Sequence, residues 1–316
     1  MTRNFSNMRF FCGSSHGDLA NEIADQLGIV PGQIELAKFS GGETYARIME
    51  TTRGFDTYVM QSIGEAANDD YMELFVMMDA LKRASAKSIN VIIPHFGYAR
   101  QDKKSAPREP ITARLIADLL NAVGFDRLIT IDLHADQIQG FFGQPVDHLT
   151  ALPLFVDYFS NKQLSDLVVV APDAGRAKYA KRLADRLHAE LAIMHKTRPK
   201  QQVAEITNVV GNVTNKTVLL VDDMVDTGGS VVSGIKALRQ EGCNPDVYLA
   251  ATHAVFSGPA IDRLSTAGFK EIVVTNSIEI PEHKRFPELT ILSAGPLLAE
   301  AIKRNYERRS ISSLFD

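Results

Sequence analysis

The hydrophobic positions of the chain form short β-branched runs that alternate with longer amphipathic stretches. Short apolar runs bounded by glycine, proline and polar residues predict strands, whereas apolar residues spaced three and four apart predict helices with one buried face. The alternation of the two patterns is typical of α/β domains around largely parallel sheets. We predict strands at 88–96, 127–133, 167–172, 217–223, 246–254 and 271–277, and helices at 69–86, 110–123, 176–188, 230–241 and 296–308.

Two parts of the chain repeat each other faintly. The run VIIPHFGYARQDK at 91–103 parallels VVVAPDAGRAKYAK at 168–181, since each has an apolar run, a proline, a polar residue, a glycine and basic residues. The run TIDLHAD at 130–136 likewise parallels LVDDMVD at 220–226. We interpret the two pairs as a sign of two related domains.

The length of the chain supports a division into two. A chain of 316 residues is long for one hydrophobic core, and two domains of ordinary size accommodate it better. The break falls near 146–153, where no low-complexity linker is present, so we predict domains at 1–148 and 149–294. The pattern allows the terminal helix to belong to either domain, and we assign 295–316 to the first.

Composition narrows the class of protein. A hydrophobic content of 45% with 23% charged residues describes a soluble globular protein. The formal net charge of −4 argues against a general nucleic-acid binder, so any phosphate site must be local. Two cysteines, Cys12 and Cys243, cannot form a disulfide framework, which favours a reducing compartment. We recognise neither a signal peptide nor an apolar run of membrane-spanning length, and therefore expect a cytoplasmic protein with no membrane partner.

The segment LLVDDMVDTGGS at 219–230 combines carboxylates with a glycine turn after a predicted strand. The glycines allow the backbone to approach a phosphate closely, and the hydroxyl groups can donate hydrogen bonds to it. Because the carboxylates would repel that phosphate, we expect them to face sugar hydroxyls or Mg²⁺. An acidic turn with a helix cap would explain Asp-Thr-Gly-Gly alone, but the two preceding acids favour a sugar phosphate site. Its candidate residues are Asp222, Asp223, Asp226, Thr227, Gly228, Gly229 and Ser230.

Two other stretches carry side chains suited to a nucleotide. His134 lies between Asp132 and Asp136 after a predicted strand, a setting suited to a metal or to triphosphate oxygens, although a lone histidine is more often a satisfied core residue. Arg100 and Gln101 offer a guanidinium fork and an amide, which can hold a phosphate and a base edge respectively. A solvated basic helix start is the plainer interpretation of that pair.

Several motifs together resemble one family. The 219–230 segment resembles the phosphoribosyl-diphosphate loop shared by type I phosphoribosyltransferases and ribose-phosphate diphosphokinases. DLHADQIQGFFGQPVD at 132–147 resembles the diphosphokinase signature, and GYARQDKK at 97–104 resembles the ATP segment of that family. FSGGE at 39–43 resembles its adenine-binding motif. HKTRPKQQ at 195–202, otherwise a plain surface loop, resembles its flexible catalytic lid.

The resemblance runs from FFCGSSHGDLANEIADQLG to the terminal SISSLF and so covers essentially the whole chain. It identifies the chain as a member of the ribose-phosphate diphosphokinases (phosphoribosyl-diphosphate synthases) of the phosphate-regulated bacterial and animal type. The implied fold is α/β, with two tandem type I phosphoribosyltransferase-like domains, each a mainly parallel sheet flanked by helices. The first domain would bind ATP and the second ribose 5-phosphate.

The implied reaction moves the β,γ-diphosphoryl group of Mg-ATP to the 1-hydroxyl of ribose 5-phosphate, giving 5-phosphoribosyl 1-diphosphate and AMP for nucleotide biosynthesis. The resemblance also implies Mg²⁺ as cofactor, phosphate and ADP as effectors, and dimers that assemble into hexamers.

The resemblance assigns roles to individual residues. Lys196 and Arg198 would be the catalytic cations of the lid, and Arg198 would also contact ribose 5-phosphate. His134 and Asp173 would be metal ligands. The implied ATP-binding residues are Phe39, Gly41, Gly42, Glu43, Arg100, Gln101 and His134. The implied effector-site residues are Arg53, Ser310 and Ser312, with Arg83 as a weaker candidate.

The chain departs from the family pattern at three positions. Gly41 stands where Asp or Asn is common in the adenine motif, Gly143 where many relatives have Asp, and Thr197 where the lid often has Arg. Two alternatives remain. A phosphoribosyltransferase would use the same loop but needs no ATP domain, and a catalytically silent regulatory homologue would be expected to lose lid or nucleotide residues that this chain retains.

Overall fold

The computed structural model of the chain describes residues 5–200 and 203–314, without the side chains of 196–200 and 203–207. None of the helices in these ranges is both long and apolar enough to cross a membrane. Of the stretch 195–202, predicted as a lid loop, residues 196–200 therefore lie inside the described backbone but outside the described side chains, and residues 201–202 lie outside the described residues.

The chain forms two structural units. Unit 1 covers the described parts of Met1–Thr150, Ser277–Glu279 and Ser293–Asp316, and unit 2 consists of Ala151–Asn276 and Ile280–Leu292. The terminal helix lies in unit 1. Which unit binds ATP and which binds ribose 5-phosphate stays a prediction.

Unit 1 contains a five-stranded sheet in which every neighbouring pair is parallel. The strand order is β1-β4-β5-β6-β7. Its strands are β1 (Met8–Cys12), β4 (Asp56–Met60), β5 (Ser88–Ile93), β6 (Arg127–Ile131) and β7 (Val146–Leu149). A separate antiparallel hairpin consists of β2 (Ile34–Lys38) and β3 (Thr44–Ile48). The helices of this unit are α1 (Gly17–Leu27), α2 (Ala67–Arg83), α3 (Thr112–Val123) and α8 (Gly295–Tyr306).

Helix α8 completes unit 1 from the far end of the chain. A proline in its first turn suits the helix start, where a missing amide hydrogen costs nothing. The helix packs against α1, and its buried side chains include Leu298 and Ile302. The hydroxyl of Tyr58 on β4 donates to Asn305. The core of unit 1 therefore depends on residues from both ends of the sequence.

Unit 2 contains a seven-stranded sheet with the order β10-β9-β8-β11-β12-β13-β14. Only the pairing of β9 with β10 is antiparallel; the remaining described pairs are parallel. The strands are β8 (Leu167–Ala171), β9 (Glu190–Lys200), β10 (Val203–Val210), β11 (Thr217–Val225), β12 (Val247–Ala254), β13 (Glu271–Thr275) and β14 (Leu289–Leu292). The helices are α4 (Leu152–Lys162), α5 (Ala177–Arg186), α6 (Gly229–Gln240) and α7 (Ala260–Thr266).

The predicted fold class and the predicted elements are confirmed, with shifted ends. All six predicted strands and all five predicted helices are present. Strand β5 stops at Ile93 because Pro94 follows and has no amide hydrogen for the ladder. Strand β11 continues to Val225, two residues beyond its predicted end, because Met224 and Val225 still pair with β12.

The basic stretch at 195–202 differs from its prediction as a loop. Strand β9 continues to Lys200, and its backbone pairs with β10 in a register that joins Lys196 to Ile206 and Lys200 to Val203. The two strands lie at the edge of the unit 2 sheet. The described backbone of the predicted lid is therefore one arm of an antiparallel pair.

Candidate functional site

The carboxyl end of β11 lies in the middle of the unit 2 sheet, between β8 and β12. In open parallel sheets, ligands bind beyond the carboxyl ends of strands, where loops and helix N-termini converge. Asp222 and Asp223 occupy the second half of β11, Asp226 follows the strand directly, and α6 begins at Gly229. The structure therefore brings the three acids and the glycine turn to one strand end.

The turn from 226 to 230 leads into helix α6, whose N-cap residue is Gly228 and so has no side chain of its own to cap the helix. Gly228 precedes α6 with φ 72° and ψ −9°, a left-handed conformation that glycine adopts without the strain of a Cβ. The first amide groups of a helix lack partners within the helix, and the helix dipole adds partial positive charge there. Thr227 is exposed and Ser230 is half-buried. These groups can bind an anion such as a phosphate.

The two adjacent acids differ in their surroundings. Asp223 is 4% exposed, and its Oδ1 accepts a hydrogen bond from Arg176 Nε at 3.2 Å. Arg176 Nη2 lies 2.8 Å from Asp223 Oδ2, an ion-pair contact outside hydrogen-bond geometry. Asp222 is half-buried, and its Oδ1 accepts from the backbone amide of Asp223 at 2.9 Å. One carboxylate is thus buried against an arginine, while the other reaches the surface.

Asp173, a predicted metal ligand, follows β8 and caps a short 3₁₀ turn. Its Oδ1 accepts hydrogen bonds from the backbone amides of Gly175 at 2.9 Å and Arg176 at 3.3 Å. Within 5–200 and 203–314, no three His, Cys, Asp or Glu side chains are grouped so that they could hold a metal ion. Mg²⁺ is commonly bound by one or two carboxylates together with water and substrate phosphates. Asp173 could therefore contribute to a Mg²⁺ site that a bound substrate completes.

A second arginine contacts the glycine turn. Arg263 on α7 donates from Nη1 to the carbonyl oxygen of Thr227 at 3.0 Å. A Cβ added to Gly229 would lie 3.5 Å from the same nitrogen. This exposed guanidinium adds positive charge beside the helix N-terminus, close to the turn that is predicted to hold a phosphate.

In unit 1, two predicted ATP residues line a cavity of about 570 Å³. Arg100 and Gln101 are both exposed there, and Gln101 Oε1 accepts from Thr112 Oγ1 at 2.5 Å. Tyr98, with φ 63°, donates its hydroxyl to Asn68. The cavity is lined by Glu65, Ala66, Ala67, Asn68, Asp69, Tyr98, Arg100 and Gln101.

The predicted adenine motif forms the tip of the β2–β3 hairpin. Phe39 is 57% exposed, and its ring centroid lies 5.8 Å from that of Tyr45 in an edge-to-face arrangement. Lys38 Nζ lies 2.5 Å from Asp69 Oδ2, an exposed ion pair, and this hydrogen bond raises the pKa of Lys38. Because Asp69 also lines the cavity, one surface ion pair joins the hairpin tip to the cavity wall.

The other residues of that tip are open to solvent. Gly41, Gly42 and Glu43 are exposed. A Cβ at Gly41 would meet nothing within 4 Å, and Gly42 has φ 88°. The turn is closed by a hydrogen bond from the Phe39 amide to the Glu43 carbonyl at 2.9 Å.

The segment after β6 buries Asp132 but exposes His134 and Asp136. His134 and Asp136 are exposed, whereas Asp132 is buried with φ 36°. His148 on β7 anchors this loop, because its Nε2 accepts from the Leu133 amide at 2.8 Å. His134 is thus exposed to solvent next to a backbone amide that is hydrogen-bonded to His148. Its predicted role as a metal ligand remains a prediction.

The predicted lid and effector residues are described only in part. The side chains of Lys196 and Arg198 lie outside the described ones. Arg53 is exposed and forms an isolated antiparallel bridge with Ala86. Arg83, the weaker candidate, pairs with Asp79 at 2.6 Å. These contacts leave the proposed effector role of both arginines untested.

The C-terminal serines predicted for the effector site contact each other. Ser310 Oγ and Ser312 Oγ are 2.9 Å apart. Arg304 on α8 donates to Ser313 Oγ at 2.5 Å and to the Ser310 carbonyl at 3.4 Å. The tail is therefore tied back to α8 by one arginine.

The chain resembles known proteins over nearly its whole length. Residues 8–124 match the family model for the N-terminal domain of ribose phosphate pyrophosphokinase, and residues 197–316 match that for the phosphoribosyl synthetase-associated domain. The ribose-phosphate pyrophosphokinase of Bacillus caldolyticus is 50% identical over 309 residues, which cover 98% of this chain and 98% of that protein. The chain belongs to the ribose-phosphate pyrophosphokinase family.

A further relative and a solved structure extend the similarity to both units. The ribose-phosphate pyrophosphokinase of Bacillus subtilis (strain 168) is also 50% identical over 309 residues, 98% of this chain and 97% of the relative. The crystal structure of phosphoribosylpyrophosphate synthetase from Mycobacterium smegmatis aligns with a TM-score of 0.91 and 46% identity, covering 96% of this chain and 99% of that one. The predicted family, and the prediction that the chain is an enzyme of that family, are confirmed.

Three side chains at these sites were absent from the predictions. Arg176 and Arg263 contact the ribose-phosphate residues, and Lys38 links the adenine motif to the cavity. For Lys38 the sequence held a signal, since it directly precedes the FSGGE motif. Arg176 and Arg263 are brought to β11 by contacts that no local pattern encodes.

Proposed function

We propose that the chain transfers the β,γ-diphosphoryl group of Mg-ATP to the 1-hydroxyl of ribose 5-phosphate and releases AMP. The observation that carries the proposal is the carboxyl end of β11. There, two adjacent acids are followed by a glycine turn and the N-terminus of α6, in a chain that is 50% identical to ribose-phosphate pyrophosphokinases. The product, 5-phosphoribosyl 1-diphosphate, supplies nucleotide biosynthesis.

Unit 2 would bind the sugar phosphate. The amide groups of the 226–230 turn and the hydroxyls of Thr227 and Ser230 would donate to the 5-phosphate, with α6 supporting the negative charge. Asp222 and Asp223 would accept hydrogen bonds from the ring hydroxyls. Each end of the ligand then meets groups of suitable charge, which explains why acids lie beside an anion-binding turn.

Unit 1 would bind ATP. Arg100 can hold a phosphate and Gln101 a base edge, because both are exposed at the cavity. The exposed ring of Phe39 can stack on a purine. His134 is also exposed and can donate to triphosphate oxygens. Gly41, Gly42 and Glu43 complete the proposed adenine turn.

Lys196 and Arg198 would supply the charge that the transfer needs. Phosphoryl transfer is chiefly positioning and neutralisation of developing charge. A lysine and an arginine on β9 would stabilise the oxygens around the β-phosphorus and exclude water that would hydrolyse ATP. Arg198 would also contact ribose 5-phosphate.

Mg²⁺ fits the proposed donors in part. Asp173 offers carboxylate oxygen, the ligand type that Mg²⁺ prefers, whereas His134 offers a ring nitrogen that suits other metals better. Each of the two residues would hold an ion of its own together with phosphate oxygens, His134 on the ATP side and Asp173 on the ribose side. When bound, Mg²⁺ would neutralise charge on the triphosphate.

The experiment is an assay of AMP release from ATP with purified chain. We expect release that requires both ribose 5-phosphate and Mg²⁺, with 5-phosphoribosyl 1-diphosphate as the second product. Consumption of 5-phosphoribosyl 1-diphosphate with a free base, without use of ATP, would indicate a phosphoribosyltransferase instead. Binding of both substrates without turnover would indicate a catalytically silent homologue.

The proposal extends to assembly and regulation. We propose a homo-oligomer of dimers that assemble into a hexamer, with phosphate as activator and ADP as inhibitor at a site that includes Arg53, Ser310 and Ser312. We propose a cytoplasmic location, which the two free cysteines, Cys12 and Cys243, support. Sedimentation of the purified chain, with and without phosphate, tests the assembly.

A further inference from the structure

Arg176 contacts both acids of the proposed ribose site, although no motif assigns it a role. Its side chain is 15% exposed. Nε and Nη2 lie 3.2 Å and 2.8 Å from the two carboxylate oxygens of Asp223, and Nε lies 3.9 Å from Asp222 Oδ1. One guanidinium thus contacts both carboxylates of the acid pair, although Asp223 lies 47 residues further along the chain.

The surroundings of Arg176 limit where its guanidinium can lie. Its backbone amide donates to Asp173 Oδ1 at 3.3 Å, which holds the turn after β8. Its guanidinium carbon lies 5.7 Å from the centroid of the Tyr179 ring, within reach of a cation–π contact. The arginine is therefore fixed at both its backbone and its head group.

The acid pair needs such a cation. Asp223 is almost fully buried, and a buried carboxylate is tolerated only when it is paired. Asp222 and Asp223 are adjacent and would repel each other if both are charged. A planar guanidinium that meets a carboxylate at two atoms fixes its orientation as well as neutralising it, which a lysine would not do.

We propose that Arg176 is a positioning residue for ribose recognition, which holds the carboxylates of Asp223 and Asp222 in the orientation that accepts the ring hydroxyls. The inference rests on the proposed function and deepens it. Arg176 itself does not touch the sugar. Its loss should therefore weaken the part of binding that depends on the hydroxyls and leave the 5-phosphate part in place.

The test compares ribose 5-phosphate with 2-deoxyribose 5-phosphate in the full chain. For Arg176→Gln, we expect the KM and the calorimetric Kd for ribose 5-phosphate to rise about 10- to 100-fold, the range seen when a supporting partner is removed. We expect kcat at saturation to change far less. The ratio of kcat/KM for the two sugars should fall by about tenfold, since discrimination by a hydroxyl requires an oriented acceptor.

A conservative variant separates positioning from mere charge balance. Arg176→Lys keeps the charge and should restore the wild-type melting temperature, but not the preference for ribose, because the two-point contact is lost. If Arg176→Gln does not fold, this variant carries the test alone. Arg239→Gln is the matched control, since that arginine donates to the carbonyls of Ala267 and Gly268 and should keep wild-type constants.

The outcomes separate this proposal from the proposed function. A wild-type chain that neither binds ribose 5-phosphate nor releases AMP refutes the function, and the role of Arg176 with it. An active wild type whose Arg176 variants keep the wild-type KM and sugar preference refutes the role of Arg176 alone. Tighter binding in Arg176→Gln would also overturn it, because the arginine would then compete with the sugar for Asp223.

Discussion

The strand ends of unit 2 and unit 1 hold their polar side chains in different ways. In unit 2, Asp223 is buried and paired with Arg176 before any ligand arrives. In unit 1, the residues proposed for ATP are exposed, namely Phe39, Arg100, Gln101 and His134. The proposed ribose side therefore holds its acid in a fixed ion pair, whereas the proposed nucleotide side consists of exposed side chains that can reorient on binding. Preorganisation reduces the entropy lost on binding. A substitution of the same kind should therefore cost more ligand affinity in unit 2 than in unit 1.

The repeated motifs show the same contrast at matching positions. In the run VIIPHFG, His95 is buried and its Nδ1 lies 2.5 Å from the carbonyl oxygen of Ile63. In the run VVVAPDAG, Asp173 is half-buried and caps the turn that carries Arg176. The histidine closes a structural contact within unit 1, whereas the aspartate supports a charged site in unit 2. The corresponding position of the two runs therefore serves packing in unit 1 and caps a turn beside charged side chains in unit 2.

The largest expected effect is on turnover, when a side chain of the β9 arm is removed and the proposed ribose site is left intact. Lys196→Ala should lower kcat by about 10²- to 10³-fold, as loss of a transition-state donor does. Ribose 5-phosphate affinity, measured by calorimetry, should stay near the wild-type value because the acids and the glycine turn are intact. Thr197→Ala, on the same arm, is the control and should remain active. Preserved turnover with a large loss of sugar affinity would contradict the assignment.

A reciprocal pair of variants tests the division between the units. Asp222→Asn should raise the Kd for ribose 5-phosphate by about 10- to 100-fold, the cost of a hydrogen bond to a charged group, and leave ATP affinity unchanged. His134→Ala should raise the Kd for ATP and leave that for ribose 5-phosphate unchanged. Calorimetry with each ligand separately measures both. An equal loss of affinity for both ligands in either variant would contradict the assignment of one ligand to each unit.

Selectivity for ATP should improve when the hairpin tip gains an acceptor. Gly41 has no side chain to reject guanine, so discrimination of ATP from GTP should be about 10- to 100-fold in the wild type and rise toward about 10⁴-fold in Gly41→Asp. The new side chain meets no atom within 4 Å of its Cβ. The ratio of kcat/KM for the two nucleotides measures this, with Gly41→Ala as the control. A wild type that is already as strict would show that a backbone carbonyl at 40–42 replaces the acceptor.

The C-terminal tail of unit 1 provides a smaller test. Ser310→Ala with Ser312→Ala should remove activation by phosphate and the ADP inhibition that ATP does not relieve, without changing the KM for ribose 5-phosphate. The motivating contact is the pair of hydroxyls 2.9 Å apart on a tail held by Arg304. Rates across phosphate and ADP concentrations measure both responses. Ser313→Ala is the control for loss of the Arg304 anchor, and unchanged responses in the double variant would exclude an effector role for the tail.

The smallest effect is expected at the link between the hairpin and the cavity. The ion pair of Lys38 and Asp69 is exposed, and exposed pairs contribute little because water screens them. Lys38→Met should therefore raise the KM for ATP less than about fivefold and leave the melting temperature unchanged. Lys87→Met removes the similar pair with Asp56 and should not affect ATP. An effect of Lys38→Met that persists when Asp69→Asn is already present would show that the ion pair is not the link.

Strands such as β5 and β11 could be predicted because they are buried and read as continuous apolar runs. Three of the five strands of the unit 1 sheet, namely β1, β4 and β7, were not predicted. Helix α1 carried a clear signal as well, with apolar residues at 19, 20, 23, 24 and 27, but was not predicted. The β2–β3 hairpin was missed because none of its strand residues is fully buried, which leaves only a weak apolar pattern. The contact of Arg176 with Asp223 depends on the pairing of β8 with β11, which a single sequence does not encode locally.

The location of α8 in unit 1 has a consequence during synthesis on the ribosome. Residues 1–150 are translated before unit 2, yet the helix that packs on α1 and meets Tyr58 is translated after it. Domains generally fold as they emerge, so unit 2 has all its residues before unit 1 does. Until then, the part of α1 that packs on α8 lacks its cover. A nascent chain stalled before residue 295 should therefore be an aggregation-prone client of chaperones rather than a smaller working enzyme.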